Sequence, residues 1–64
     1  MLLDVRQVWV IQQRTTGLYL TNDLYLTRSL YDAGRCYDRE SALDTGRINL
    51  EDDFQIQNFY ELND

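Results

Sequence analysis

Sixty-four residues make one small domain, residues 1–64, and a chain this short buries only roughly 60% of the surface its unfolded form exposes. Domains of this size are often stapled by disulfides or a metal. Cys36 is the single cysteine and histidine is absent, which excludes an intrachain disulfide and a zinc site built from one chain.

Net charge is −5. Residues 1–47 hold six acids and six arginines, which cancel, so the whole excess lies in residues 48–64, in Glu51, Asp52, Asp53, Glu61 and Asp64. Hydrophobic residues are 44% of the chain, with five Tyr, two Phe and one Trp, too many for a disordered segment. No apolar run has the length of a membrane span. The start, Met1 to Arg6, lacks the basic and long apolar regions of a secretory signal. A lone thiol without such a signal fits a reducing compartment, and a cytoplasmic location is the expectation.

The first element in chain order is Val8-Trp9-Val10-Ile11. Both of its alternating faces are apolar, as in a central strand covered on two sides. Thr15-Thr16-Gly17 reads as a turn. Leu18-Tyr19-Leu20 and Leu24-Tyr25-Leu26-Thr27 then form a hairpin. A three-residue loop, Thr21 to Asp23, pairs Leu20 with Leu24 and Tyr19 with Tyr25, sorting leucines to the core and tyrosines outward. Tyr19, Tyr25, Tyr31 and Tyr37 stand six apart, and this spacing is read as hairpin geometry rather than as coils of a β-helix.

Ser29 caps a short helical turn with Leu30 and Ala33 on one side, closed by Gly34. Cys36-Tyr37 reads as a brief extended piece. Asp38 is an N-cap, and Glu40 favours the positive end of the following dipole. The helix 39–45 buries Ala42 and Leu43 and stops at Gly46. After the acidic corner at residues 51–53, Phe54 and Ile56 alternate with Gln55 and Gln57 as a strand. The pattern loses phase at Phe59-Tyr60, which predicts a bulge or a strand end. The fold class is therefore α+β: a small antiparallel sheet of three to four strands against one or two short helices.

The order Val10-Ile11, Thr16-Gly17, Tyr19-Leu20, Thr27, Leu30, Ala33 and Ala42 resembles a pattern in small accessory proteins of tailed bacteriophages, over roughly residues 8–43. Those proteins carry an aromatic where this chain has Cys36, with Tyr37 one place later. The resemblance implies a phage origin and an α+β fold. It implies no defined activity, beyond interference with host machinery in some cases.

Catalytic equipment is sparse. A nucleophile needs a base held by a third group, and with neither His nor Lys in the chain, Cys36 reads as a packed thiol. Glu51-Asp52-Asp53 lacks the alternating acids and central glycine of a calcium loop. Gly17, Gly34 and Gly46 are too scattered for a phosphate-binding loop. No enzyme activity, cofactor or metal is expected. Arginines interleaved with tyrosines offer stacking and phosphate pairing. However, each of Arg35, Arg39 and Arg47 has an acid close by, in Asp32, Glu40 and Asp44, so no net positive face arises.

A binding module remains as the leading expectation, with Tyr19, Tyr25, Tyr31, Glu51, Asp52 and Asp53 as candidate partner-binding residues. Tyrosine is enriched at interface hot spots, and an acidic segment steers toward a basic partner. The expected partner is a host protein, a defence or nucleic-acid-processing factor, which the acids engage by imitating DNA charge. Two alternatives stand beside it: a self-associating assembly module, and a small nucleic-acid-associated protein using Arg and Tyr.

Overall fold

A computed structural model describes residues 4–63. The elements are β1 (Asp4–Gln12), β2 (Tyr19–Leu20), β3 (Leu26–Thr27), α1 (Arg39–Leu50) and β4 (Gln55–Asn63). All strand pairings are antiparallel, and the sheet order is β3-β2-β1-β4. This is the expected α+β class, with four strands and one helix among the described residues.

Strand β1 is central because both of its faces carry apolar side chains. Trp9 and Ile11 point toward α1, where Ile11, Leu20 and Ala42 form the buried core. Trp9, Leu26, Cys36, Leu50, Phe54 and Ile56 pack around them. Val8 and Val10 alternate to the other face, and both are 0% exposed. That burial requires a second cover, away from the helix.

The cover is organised by Arg35. Its guanidinium Nη1 donates to the carbonyls of Leu30 (3.0 Å) and Ala33 (2.7 Å), and its Nε donates to Glu61 on β4 (3.2 Å). Glu61 pairs across strands with Arg6 and so shares the face of Val8 and Val10. One planar fork thus holds the turn 29–34 over the sheet face opposite the helix. Ala33 is buried in this turn.

Strand β2 pairs with β1 only at Gln12–Tyr19, after which residues 34–36 take its place along β1. Trp9 N–H donates to the Cys36 carbonyl (2.8 Å), and Cys36 N–H donates to that of Trp9 (2.9 Å). Gly34 N–H donates to the Leu20 carbonyl (2.9 Å). A Cβ at Gly34 would sit 3.0 Å from the Asn22 nitrogen, so glycine permits this close backbone approach.

Four sequence expectations are corrected. The hairpin register is Leu20–Leu26 and Tyr19–Thr27, with Thr21 N–H donating to the Tyr25 carbonyl (2.8 Å). The loop is therefore Asn22 to Leu24, one residue later than Thr21 to Asp23. Leu24 has φ 67° and closes a turn of the kind that ends in a left-handed residue. It is exposed rather than in the leucine face. A two-residue change of partner leaves side-chain parity intact, so Leu20 and Leu26 still face the core.

The predicted helical turn after Ser29 is a hydrogen-bonded turn instead. Its N–H groups at Asp32 and Ala33 donate to Ser29 and Leu30, and only Ala33 goes inward while Leu30 is exposed. Asp38 is the N-cap as expected, accepting from the Ser41 N–H (3.3 Å) and hydroxyl (3.2 Å).

The helix does not stop at Gly46. It runs on to Leu50 with Gly46 buried, because a side chain there would collide with the Phe54 ring. Glycine at this position marks close packing rather than a helix end. Nor does β4 bulge at Phe59-Tyr60: its ladder with β1 is continuous from Gln55–Gln12 to Asn63–Asp4. The lost phase reflects apolar residues on both faces, with Phe59 beside Val8 and Tyr60 beside Gln7.

Candidate interaction surface

Four of the five tyrosines lie on or above the face opposite the helix, and Tyr60 lies on the helix side. Tyr19 is the cross-strand neighbour of Gln12, so it lies on the Val8/Val10 side, and Tyr25 joins it there by hairpin alternation. Tyr37 follows Cys36, which faces the core, and therefore points the opposite way. There the Arg6 guanidinium lies over its ring, 5.0 Å from the centroid. Tyr31 projects from the turn that Arg35 holds above the same face. Tyr31 is 89% exposed, Tyr25 60% and Tyr37 59%, while Tyr19 is half-buried. Tyr19 and Tyr25 share a face but are not a cross-strand pair.

The acidic corner is placed elsewhere. It caps the end of the sheet between α1 and β4, at the level of the Gln12–Gln55 pair. Glu51 and Asp52 are exposed. Asp53 is held in the fold, because its carboxylate accepts from the Thr15 N–H (3.0 Å) and hydroxyl (2.7 Å). These bonds join the β1–β2 turn to the start of β4. Glu51 takes φ 58°, and its N–H donates to the Arg47 carbonyl (3.1 Å).

Arginine pairing follows sequence proximity in part. Arg39–Glu40 (3.9 Å) and Arg47–Asp44 (3.6 Å) are exposed pairs, each worth about 0–1 kcal/mol. Arg35 pairs with Glu61 (3.2 Å) and not with Asp32. That choice depends on the β1–β4 register, which local spacing does not reveal.

Cys36 fills the inward position, and burial pushes its thiol pKa up from the ordinary value. A raised pKa lowers thiolate content, which makes the group a weaker nucleophile than a free thiol. No cavity opens, and no cluster of three potential metal-binding side chains forms, among the described residues. No helix among them is long and apolar enough to cross a membrane.

Tyr60 (70% exposed), Leu62 (65%) and Val5 (59%) form a second exposed apolar group, on the helix side of the sheet. Sequence reading missed it. The available signal was the spacing Ile56, Asn58, Tyr60, Leu62, which places three apolar residues on one face of β4. No protein-family model, curated protein or solved structure matches this chain.

Proposed function

We propose that this chain is a non-enzymatic binding protein that docks on a host protein through the tyrosine face of its sheet, with the acidic corner steering it toward a basic surface. The observation that supports this reading is that the exposed Tyr25, Tyr31 and Tyr37 lie on or above one face of the sheet. Tyrosine offers a large amphipathic contact with few rotatable bonds, which suits an anchor. The net charge of −5, with Glu51 and Asp52 unpaired by any arginine among the described residues, supports steering toward cationic patches. The phage origin implied by the sequence resemblance directs the search to bacterial defence or nucleic-acid-processing proteins, whose DNA-binding surfaces are basic.

The test is affinity capture from a bacterial lysate with three baits: wild type, a Tyr25→Ser/Tyr31→Ser/Tyr37→Ser variant, and a Glu51→Lys/Asp52→Lys variant. Asp53 is left intact because its loss would disturb the fold. Wild type should retain a basic partner, and the tyrosine variant should lose it. The charge variant should bind at least about tenfold more weakly at low salt, with the difference shrinking as salt rises. Equal retention by all three baits would refute the reading.

A further inference from the structure

Strand β4 is the edge of the sheet, and the hydrogen bonds of its neighbour decide which of its backbone groups are free. Trp9 turns its N–H and carbonyl toward Cys36, and Gln13 turns its N–H toward Leu18. By antiparallel alternation, the residues between and before them (Arg6, Val8, Val10, Gln12) turn theirs toward β4. Their partners Glu61, Phe59, Gln57 and Gln55 are thereby satisfied. The backbone groups of Ile56, Asn58, Tyr60 and Leu62 point to the open side. No hydrogen bond from any other described element reaches them.

Exposed edges in soluble proteins are ordinarily blunted by lysine, proline or a bulge. Strand β4 has none of these: residues 55–63 contain neither Lys nor Pro, and the ladder is unbroken over nine residues. The same strand carries exposed Tyr60 and Leu62, with Val5 beside Leu62.

We propose that β4 pairs antiparallel with β4 of a second copy, about a two-fold axis at Phe59, to give a continuous eight-stranded sheet. The register is dictated by the free groups. Hydrogen-bonded pairs must join outward-facing residues of both copies, so only even-numbered residues can meet. Centring on Phe59 matches Ile56 with Leu62 and Asn58 with Tyr60 of the second copy, and it uses all four outward residues of each strand. Shifting the centre to Asn58 or Tyr60 strands one of them.

Side chains agree with this register. Leu62 lands beside Ile56, which already packs on the core cluster, so the apolar end of the β1–β4 ribbon meets the helix side of the second copy. Phe59 meets its own counterpart. Glu61, the single charged residue in 55–63, lies opposite Gln57 rather than another acid. The proposal is independent of the host-partner reading, since it uses the open edge of β4 and none of Tyr25, Tyr31, Tyr37, Glu51 and Asp52.

Analytical sedimentation tests it, with circular dichroism to verify that each variant is folded. Wild type should move from monomer toward dimer between about 5 and 500 µM, as mass action requires. The transition should shift to lower concentration when salt rises from about 20 to 300 mM, because two copies of charge −5 repel and salt screens them.

Asn58→Pro removes an outward N–H without touching the β1 ladder, and Leu62→Lys places a charge on the edge. Each should weaken dimerisation at least about tenfold, which is 1.4 kcal/mol. Ile48→Lys, at a helix position 81% exposed, should dimerise as wild type does. If Asn58→Pro does not fold, Leu62→Lys carries the test alone. A wild type that stays monomeric at the highest concentration and salt overturns the proposal. So does a dimer that survives the folded edge variants.

Discussion

At the scale of single residues, Asp53 shows how a charge surplus and a structural role coexist. Three consecutive acids at 51–53 read as one patch in the sequence, but only Asp53 lies within reach of the Thr15 turn. A double acceptor of this kind is worth about 1–2 kcal/mol, since hydrogen bonds to charged groups exceed the neutral average. Asp53→Ala should therefore lower unfolding free energy by about 1–2 kcal/mol in a urea titration. Asp52→Ala, whose side chain makes no described hydrogen bond or ion pair, should stay within about 0.5 kcal/mol of wild type. Thr15→Ala should account for part of the Asp53 effect, and the double variant should cost less than the sum.

Cys36 gives a second residue-level expectation, with its sign fixed by burial. Its folded pKa is raised, so the folded state prefers the neutral thiol more than the unfolded chain does. The resulting stability is fully present below the ordinary thiol pKa of about 8.5 and is lost as pH rises through the raised folded value. Comparing wild type with Cys36→Ala in urea between pH 7 and 10 isolates this from tyrosine titration, which both share. The gap between the two should narrow as pH rises. A constant gap would show that the thiol titrates alike in both states.

Among the elements, Gly46 separates what local pattern reveals from what contact decides. A glycine late in a helical pattern, well after the Asp38 cap, reads as a terminus, because nothing nearby in sequence announces the Phe54 ring. In the fold that ring occupies the space a side chain would need. Gly46→Ala would gain up to about 1 kcal/mol of helix propensity. The forced displacement of a packed ring costs about 1–3 kcal/mol and wins. Net destabilisation of about 1 kcal/mol is expected in thermal or urea unfolding. Gly46→Ala combined with Phe54→Leu should recover part of it by making room.

The hairpin makes the same point about strands. Alternation alone places the leucines of β2 and β3 on the core side. The correct partner for Leu20 is set by Leu24 taking a left-handed turn conformation that its residue type does not advertise. The Asp38 N-cap, the central strand and the fold class were thus legible, because each depends on neighbours in sequence. The Arg35–Glu61 contact, the continuation of the helix past Gly46 and the unbroken β4 were not, because each depends on a partner brought in from another element.

For the whole molecule, the distribution of charge bears on stability as much as on recognition. The two exposed ion pairs join neighbours on α1, and screening them costs little. The acidic excess is concentrated in residues 48–64, where the described segment has one arginine contact, from Arg35 to Glu61. That pair is partly shielded, since the Arg35 side chain is 23% exposed. Added salt therefore weakens self-repulsion more than it weakens the ion pairs. At a fixed protein concentration low enough to keep the chain monomeric, the melting temperature should rise between about 20 and 300 mM sodium chloride. Glu51→Gln/Asp52→Gln, which removes two of the repelling charges, should melt higher than wild type at low salt and respond less to salt. A melting temperature that falls with salt would mean that the Arg35–Glu61 link outweighs the surplus.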